Sequence, residues 1–233
     1  MNNLIFDLGF HNGDDTAYYL HKGYSVVALE ANPKLHELGR IRFNKEIDNG
    51  KLTLLNLVFN DIIDDKVIFY INPERDDLST CDLNKTLYWN VKPIITDVLT
   101  ISYIDMISIF GTPYYIKCDI EGLDYLLIKQ ISNSINNIPE YLSFELSRFD
   151  YFKTFSYLYV SGYTKFQLIN QTALDKDEDF TFTEYSSGKF GKFLQNNWLS
   201  FDECLTRYMK YKELKGIDNV NLALGWIDIH AKL

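Results

Sequence analysis

The sequence predicts an α/β fold in which a mostly parallel β-sheet carries helices on both faces. The first observation is that short apolar runs alternate along the chain with segments that suit helices. The second is that these runs are apolar at nearly every position, which is typical of strands buried on both faces. The third is the length of 233 residues, which suits one domain with a sizeable core. We therefore expect residues 1–233 to form a single domain.

The composition is that of an ordinary globular protein, with 46% hydrophobic residues. A formal net charge of −9 and the lack of a basic stripe argue against a nucleic-acid partner. Cys81, Cys118 and Cys204 form no CxxC pair, which argues against a zinc site or a disulfide framework and favours a reducing compartment. No apolar run reaches the roughly 20 residues of a membrane span, and the N-terminal run is too short for a signal peptide. We therefore expect a cytoplasmic protein.

The first half of the chain contains three strand candidates and two helix candidates. The strand candidates are residues 4–8, 25–31 and 51–59. The first helix candidate, residues 14–22, is ended by Gly23, because glycine readily adopts the conformation found after a helix. The second begins at Pro33, a residue favoured in a first turn, and extends to about residue 48.

Six further strand candidates follow in the second half. They are residues 67–71, 94–101, 114–122, 141–146, 165–170 and 226–230. The first two are expected as extra strands around a loop, and a helix is expected from Leu123 onwards. Residues 171–200 are polar, acidic and interrupted by glycines, which favours a long loop or a lid before the last strand. Within this segment, Phe190 lies between two glycines and would belong either to a lid over the substrate or to a surface turn.

A glycine loop, residues 9–13 (GFHNG), joins the first strand to the first helix. It matches neither the GxxxxGK[ST] pattern of a P-loop nor the GxGxxG pattern of a dinucleotide site. Asp14 and Asp15 follow at the start of the helix, where they would repel the pyrophosphate that such loops bind. The acidic loop is better suited to an adenosine ligand that has no phosphate and carries positive charge. S-adenosylmethionine is such a ligand.

Glu30 supports an adenosine site. It ends the second strand about 20 residues after the glycine loop, where an acidic residue binds ribose hydroxyls in related α/β folds. The alternative is that Gly9 and Gly13 serve ordinary turns and that Glu30 is a solvated strand end. The order and spacing of the three residues favour the adenosine site.

Acidic residues also follow two later strands. In the segment KCDIEG, Lys117, Asp119 and Glu121 would point to one side of a strand, and Glu145 ends the next strand. Open α/β sheets bind ligands beyond these strand ends. Crowding of the carboxylates could raise the pKa of one of them and make it a base, or the group could hold a divalent ion that acidifies a hydroxyl. The alternative is that the acids cap helices or pair with Lys117 and Lys129.

Two histidines are further candidates. His230 shares one side of the last strand with Trp226 and Asp228, so an Asp–His pair could act as a general base. The alternative is a histidine that is hydrogen-bonded within the sheet. His11 lies in the glycine loop, where it would contact either the ligand or solvent.

The chain resembles FkbM-type methyltransferases, a family of class I enzymes that depend on S-adenosylmethionine. The resemblance covers roughly residues 4–146 and is carried by four segments. These segments are FDLGFHNGDDTAYYLHKGYSVVALEANP, LTISYIDMI, YIKCDIEGLDYLLIK and YLSFEL. The resemblance implies a Rossmann-like class I methyltransferase fold and methylation of a hydroxyl on a sugar, a glycan or a small metabolite.

The resemblance also implies roles for individual residues. The cofactor-binding candidates are Asp7, Gly9, His11, Asn12, Gly13, Glu30, Ala31, Asn32 and Asn60. The catalytic candidates are Asp119 and Glu121, which the resemblance places at the methyl group and the acceptor, together with Glu145 and His230, which are proposed from their positions on strands. Two other functions stay open: a non-catalytic adenosine-binding scaffold, and a nicotinamide-dependent oxidoreductase, which the missing GxGxxG pattern disfavours. The sequence leaves open the acceptor, the base, a metal requirement and the oligomeric state.

Overall fold

A seven-stranded sheet is the centre of the computed structural model, which describes residues 3–61, 66–134, 136–146, 151–215 and 226–233. In chain order, the strands of the described residues are β1 (Leu4–Leu8), β2 (Ser25–Leu29), β3 (Leu52–Leu55), β4 (Val58–Phe59), β5 (Lys66–Ile71), β6 (Ile94–Ile101), β7 (Tyr115–Cys118), β8 (Tyr141–Glu145), β9 (Lys165–Asn170) and β10 (Ile227–Lys232). The central sheet has the order β3-β2-β1-β7-β8-β10-β9, and β4, β6 and β5 form a smaller sheet beside it.

The central sheet is mostly parallel. Each pair of neighbours from β3 to β8 is parallel, whereas β10 runs antiparallel to both β8 and β9. In the smaller sheet, β4 is parallel and β5 antiparallel to β6. The carboxyl ends of β1, β2, β7 and β8 therefore meet at one edge, where open α/β sheets place their ligands.

Eight α-helices of the described residues connect and cover these strands. They are α1 (Asp14–His21), α2 (Pro33–Arg42), α3 (Asn44–Asp48), α4 (Leu83–Thr86), α5 (Tyr103–Phe110), α6 (Asp124–Ser132), α7 (Tyr151–Val160) and α8 (Phe201–Lys215). Capping side chains fix the start of two of them: the Asn32 side chain accepts the Lys34 N–H at 3.0 Å, and Ser102 and Asp105 form a capping box. Within the described ranges, no helix combines the length and apolarity needed to cross a membrane.

The two faces of the central sheet differ in chemistry. The apolar face is formed by Phe6, Leu8, Ile116, Phe144 and Ile229, all of which are buried. Helices α5 to α8 pack on this side, and their apolar residues join the larger hydrophobic core. The larger core therefore lies between the apolar face and these four helices.

The polar face is formed by the alternate residues of the same strands. It carries Asp7, Lys117, Ser143, Asp228 and His230, and these five residues are also buried. Helix α1 lies on this side, where its Tyr18 and Tyr19 belong to a second hydrophobic cluster. Helices thus cover both faces of the sheet, and the expected fold class is confirmed.

Residues 171–200 form an irregular segment that packs beside α1. Phe190 is 1% exposed, and its ring contacts the rings of Tyr19, Tyr24 and Tyr115. A buried aromatic residue thus anchors the segment, which rules out a plain surface turn at Phe190. The role of the segment as a lid over the acceptor stays a prediction.

The structure differs from the predicted elements at several places. The helix expected over residues 33–48 is divided at Phe43, which is buried. The strand expected over residues 51–59 is divided because its second part pairs with β6 instead of β2. Helices α4, α5, α7 and α8 have no counterpart among the predicted elements. The sequence does contain a start signal for α8, namely Ser200 followed three residues later by Glu203. In the structure these two residues form reciprocal capping hydrogen bonds.

Candidate active site

A cavity of about 680 Å³ opens at the carboxyl ends of the parallel strands. Its walls bring together eight of the residues predicted to form the site. They are Gly9, His11, Asn12, Glu30, Ala31, Asp119, Glu121 and Glu145. A volume of this size is within the usual range of small-molecule sites, roughly 300–1,000 Å³.

The glycine loop packs directly against the end of β7. Gly9 has a φ of 92°, and a Cβ at this position would overlap the carbonyl oxygen of Asp119. Gly13 has a φ of 83° and precedes the first residue of α1. Both positions therefore need glycine, at Gly9 for close approach of two backbones and at both for a left-handed conformation.

Glu30 joins the glycine loop to the start of α2. One carboxylate oxygen accepts the backbone N–H of His11 at 2.7 Å, and the other accepts that of Asn32 at 2.7 Å. Burial raises the pKa of Glu30 to about 7, although these two hydrogen bonds oppose the shift. Since each carboxylate oxygen can accept more than one hydrogen bond, Glu30 keeps acceptor capacity toward the cavity that it lines.

The two acids at the start of α1 bind protein groups. Asp14 accepts hydrogen bonds from Arg42 at 2.7 Å and from Thr183, and these bonds hold its pKa below the usual value despite partial burial. Asp15 accepts the backbone N–H and the hydroxyl of Ser187, each at 2.7 Å. Burial raises the pKa of Asp15. The acids thus tether the 171–200 segment to the cavity, a role that the sequence did not suggest.

Lys117 supplies positive charge beneath the cavity. Its ammonium lies 3.5 Å from Asp119, 3.6 Å from Asp15 and 4.0 Å from Asp7, and it donates to the Gly9 carbonyl at 3.1 Å. Burial disfavours the ammonium, but the carboxylates of Asp119, Asp15 and Asp7 raise the pKa of Lys117 well above its usual value. Lys117 therefore stays charged and holds the glycine loop against the strand ends.

Three carboxylates converge at the part of the cavity beyond β7 and β8. One oxygen from each of Asp119, Glu121 and Glu145 lies within 4.8 Å of the others. Glu121 has a φ of 52° and accepts a hydrogen bond from Lys85 at 2.8 Å. Burial and the charge of Asp119 raise the pKa of Glu121 to about 7. Burial and the charges of Asp119 and Glu121 raise the pKa of Glu145 to about 7.

Asp228 and His230 occupy different surroundings although they share one side of β10. Asp228 lines the cavity, directly opposite Glu145 on the neighbouring strand. Burial and the charges of Asp119 and Glu145 raise the pKa of Asp228 well above its usual value. His230 is 2% exposed, lies opposite Ser143 and does not line the cavity. Burial lowers the pKa of His230 to about 3, so it is neutral near pH 7.

Four predicted cofactor residues lie outside the cavity wall. They are Asp7, Gly13, Asn32 and Asn60. Asp7 is fully buried and accepts the Thr16 hydroxyl at 2.6 Å, and burial raises its pKa to about 7. Asn32 caps α2, and the Asn60 side chain accepts the Asp61 N–H at 2.8 Å. In this structure they support the loops around the cavity, and a direct role in cofactor binding stays a prediction.

Other parts of the cavity wall were not predicted. Residues 75–79, between β5 and β6, contribute to it, and Asp76 Oδ1 accepts a hydrogen bond from His11 Nε2 at 3.2 Å. Tyr185 also lines the cavity, and the centroid of its ring lies 5.1 Å from that of the His11 ring. The acidic pair in ERDDLST was visible in the sequence, but its position over the glycine loop depends on how the smaller sheet packs.

The sequence matches the family described as the methyltransferase FkbM domain over residues 7–184. No curated protein matches it. Among solved structures, the chain is similar to a methyltransferase FkbM from Methylobacillus flagellatus KT, with 16% identity and a TM-score of 0.49. That match covers 72% of this chain and 40% of the other, so this chain spans less than half of that protein's length.

Two further solved structures are similar in fold. Precorrin-6y C5,15-methyltransferase from Geobacter metallireducens GS-15 is 11% identical, with a TM-score of 0.43 over 99% of this chain and 78% of the other. An O-methyltransferase from Bacillus cereus, solved in complex with SAH, is 8% identical, with a TM-score of 0.40 over 100% of this chain and 74% of the other.

Proposed function

The chain belongs to the FkbM methyltransferase family, whose members depend on S-adenosylmethionine, and we propose that it methylates a hydroxyl on a sugar, a glycan or a small metabolite. The match over residues 7–184 covers most of the 233 residues, and the fold is that of class I methyltransferases. The family match supports a methyltransferase, and the hydroxyl oxygen as the methyl acceptor is the proposal that we add.

The observation that carries the proposal is the division of one cavity into two ends. Glu30 and the glycine loop form one end, and the carboxylates of Asp119, Glu121 and Glu145 form the other. The acids at the start of α1 line the first end, where they would disfavour a diphosphate. A sulfonium ligand with an unphosphorylated adenosine suits these donors and charges.

In this proposal one group of residues binds the methyl donor and another takes the proton of the acceptor. Glu30 would accept hydrogen bonds from the ribose hydroxyls, and the backbone of residues 9–13 would hold the amino-acid part of the donor. The bound donor supplies a methyl group on a positively charged sulfur. Asp119 would face this charge, and Glu145 or Glu121, each with a pKa of about 7, would take the proton of the acceptor hydroxyl. Alignment in the cavity would lower the barrier by several kcal/mol, up to roughly 7–11 in ideal cases.

Binding of S-adenosylhomocysteine (SAH) by calorimetry tests the donor end. Hydrogen bonds to a charged group contribute roughly 1.5–3 kcal/mol each, so Glu30→Ala should weaken SAH binding about tenfold or more. Glu37→Ala, an exposed acid on α2, is the matched control and should bind as the wild type does. Unchanged affinity in a folded Glu30→Ala variant would remove Glu30 from the donor site. Stabilisation by NAD and not by SAH would favour an oxidoreductase.

Turnover tests the acceptor end and separates an enzyme from a binding scaffold. Extracts incubated with the protein and a donor carrying a labelled methyl group would identify the acceptor by mass spectrometry. On that acceptor, Asp119→Asn and Glu121→Gln should lower the rate about 10²-fold or more, with melting temperature and SAH affinity near wild type. Wild-type rates in both variants would move the base to Glu145. SAH binding without any labelled product would favour the scaffold.

A further inference from the structure

We propose that a second cavity, formed by parts of residues 171–184 together with Trp226, binds further units of the acceptor, and that the acceptor is an uncharged chain of sugar units. The inference deepens the proposed function and rests on it for the methyl transfer to one end of that chain. Trp226 is outside residues 7–184, the part of the chain that matches the family, so the complete second cavity is a feature of this chain.

The second cavity has a volume of about 540 Å³ and adjoins the active-site cavity. Gln171, Glu184 and Trp226 belong to the walls of both cavities, so the two spaces meet at these residues. The rest of its wall comes from within residues 172–183 and includes Phe180 and Phe182. A ligand whose reacting group lies in the first cavity can therefore continue into the second.

The strand order places the second cavity in line with the proposed reaction. Glu30 and the glycine loop follow β2 and β1, the three carboxylates follow β7 and β8, and Trp226 and Gln171 lie at the same edge beside β10 and β9. The Gln171 N–H donates to the Trp226 carbonyl at 3.0 Å, which holds the two residues side by side. Neighbouring strands are about 4.8 Å apart, so β9 lies roughly 10 Å beyond β8, farther than a single sugar ring spans.

Gln171 supplies an unused hydrogen-bond donor where the cavities meet. Its Nε2 atom is buried and has no hydrogen-bond partner within the described ranges. Such a group is unfavourable, because it has lost its contact with water and gained nothing in return. Both cavities border this side chain, so a hydroxyl of a ligand that spans them is the acceptor that the geometry offers.

Aromatic side chains supply flat apolar surfaces along the same path. Trp226, at the junction, is 47% exposed. Inside the second cavity, the ring centroids of Phe180 and Phe182 lie 5.0 and 4.8 Å from that of Tyr18, which holds both rings in place. A sugar ring has an apolar face of C–H groups and a rim of hydroxyls. Aromatic walls with a few amide and carboxylate groups between them suit both parts of such a ring.

The charges along the path disfavour an anionic acceptor. The wall of the second cavity contains Lys176, Asp177 and Glu184, and Asp177 is already paired with Lys22 at 2.9 Å. The first cavity adds the three carboxylates beyond β7 and β8. A phosphorylated chain or a nucleic acid would be repelled by this excess of negative charge. A neutral chain rich in hydroxyls avoids the repulsion, and its hydroxyls can donate to Glu184 and accept from Gln171.

An array of neutral monosaccharides and oligosaccharides, probed with the full chain loaded with SAH, tests the inference. We expect binding to an oligosaccharide of at least two units, and affinity for its single unit that is weaker by about tenfold or more. Gln171→Leu and Trp226→Ala should each weaken oligosaccharide binding by about tenfold or more and leave the affinity for SAH unchanged.

Two variants serve as matched controls and should bind the oligosaccharide as the wild type does. Gln195→Leu makes the same change at an exposed position outside both cavities. Tyr88→Ala removes an aromatic ring that is 88% exposed and also lies outside them. Melting temperatures would show that all four variants are folded, and the two test variants guard against the loss of one.

Three results would overturn the inference: no binding to any oligosaccharide, equal affinity for the chain and its single unit, or wild-type affinity in both Gln171→Leu and Trp226→Ala. SAH calorimetry on the same samples separates this inference from the proposed function. Binding of SAH without binding of any oligosaccharide would reject the second site and keep the methyltransferase. Binding of an oligosaccharide by a protein that does not bind SAH would reject the donor site instead.

Discussion

The two faces of the central sheet are built from the same strands and are both buried, yet they differ in what stabilises them. On the apolar face, Phe144 and Ile229 pack into a continuous core with four helices. On the polar face, the residues next to them in sequence are Ser143, Glu145 and Asp228. Glu145 and Asp228 line a cavity together with the buried Lys117, and Ser143 shares a hydrogen bond with the Tyr115 hydroxyl. The apolar face thus packs a hydrophobic core, whereas the polar face borders the cavity.

The difference shows that burial alone does not identify a residue's role. Asp7 and Phe6 are both completely buried neighbours on β1. Phe6 stabilises the fold by leaving water, whereas an unprotonated Asp7 loses solvation and regains only part of it from Thr16 and Lys117. A polar residue kept at such a cost is most simply explained by a function, and on β7 and β10 the buried Lys117 and Asp228 line the cavity.

The largest expected effect is on the polar face. Lys117→Met removes the cation that Asp7, Asp15 and Asp119 share. Loss of one partner of a buried ion pair typically costs about 3–5 kcal/mol, so we expect a loss of this size in the free energy of unfolding at pH 8. Urea denaturation measures it, with Lys34→Met, an exposed lysine, as the control. A loss no greater than that of the control would mean that the polar face does not depend on Lys117.

The pH dependence of stability should also come from the polar face. Burial raises the pKa of Asp7 from 3.8 to about 7. Between these values the folded state holds a proton that the unfolded state has lost, so this contribution is complete below pH 3.8 and disappears as the pH rises through 7. The wild type should therefore be more stable at pH 6 than at pH 8, by at most about 1.4 kcal/mol per pH unit from this group.

Asp7→Asn isolates this contribution because an amide oxygen can still accept the Thr16 hydroxyl. Its unfolding free energy should change less between pH 6 and pH 8 than that of the wild type. Glu30, Glu121 and Glu145, whose pKa values are also raised to about 7, would contribute to the remaining slope. If the unfolding free energies of variant and wild type changed equally between pH 6 and pH 8, Asp7 would be ionised in the folded state over this whole range.

The smallest expected effect compares two adjacent residues of β10. Ile229→Val removes one methyl group from the apolar face and should cost about 0.5–1.5 kcal/mol. Asp228→Asn, on the polar face, replaces a buried acid whose charged form is disfavoured by burial and by the carboxylates of Asp119 and Glu145, so it should cost nothing, or stabilise the protein, at pH 8. Thermal unfolding of both variants makes the comparison. A loss in Asp228→Asn equal to that in Ile229→Val would remove the distinction between the faces at this strand.

Much of the fold was predictable because its strands are local patterns. The strand candidates at 4–8, 94–101 and 165–170 agree with β1, β6 and β9 residue for residue. The breaks at Phe43 and before β4 were not predictable, since they depend on packing against residues far away in sequence. Strand ends also gave the acids of the cavity, because the carboxyl ends of parallel strands meet at one edge.

The contacts that define the site were less predictable. Asp14 and Asp15 were interpreted as groups that repel a diphosphate, and their hydrogen bonds to Thr183 and Ser187 depend on a segment far along the chain. His230 and Asp228 lie on the same side of one strand, and the register of β10 places Asp228 at the cavity but leaves His230 away from it. Sequence periodicity gives the side of a strand, but not the depth at which a residue lies along it.

The insertion of β10 between β8 and β9 has a consequence for the order in which the protein folds. Both neighbours are synthesised before β10, so until it emerges from the ribosome each of them has an unpaired edge. The acidic pair of Glu145 and Asp228 cannot form before that strand is in place. A chain without β10 would therefore lack Asp228 at the cavity. The complete set of acids can form only after β10 has been synthesised and has paired with β8.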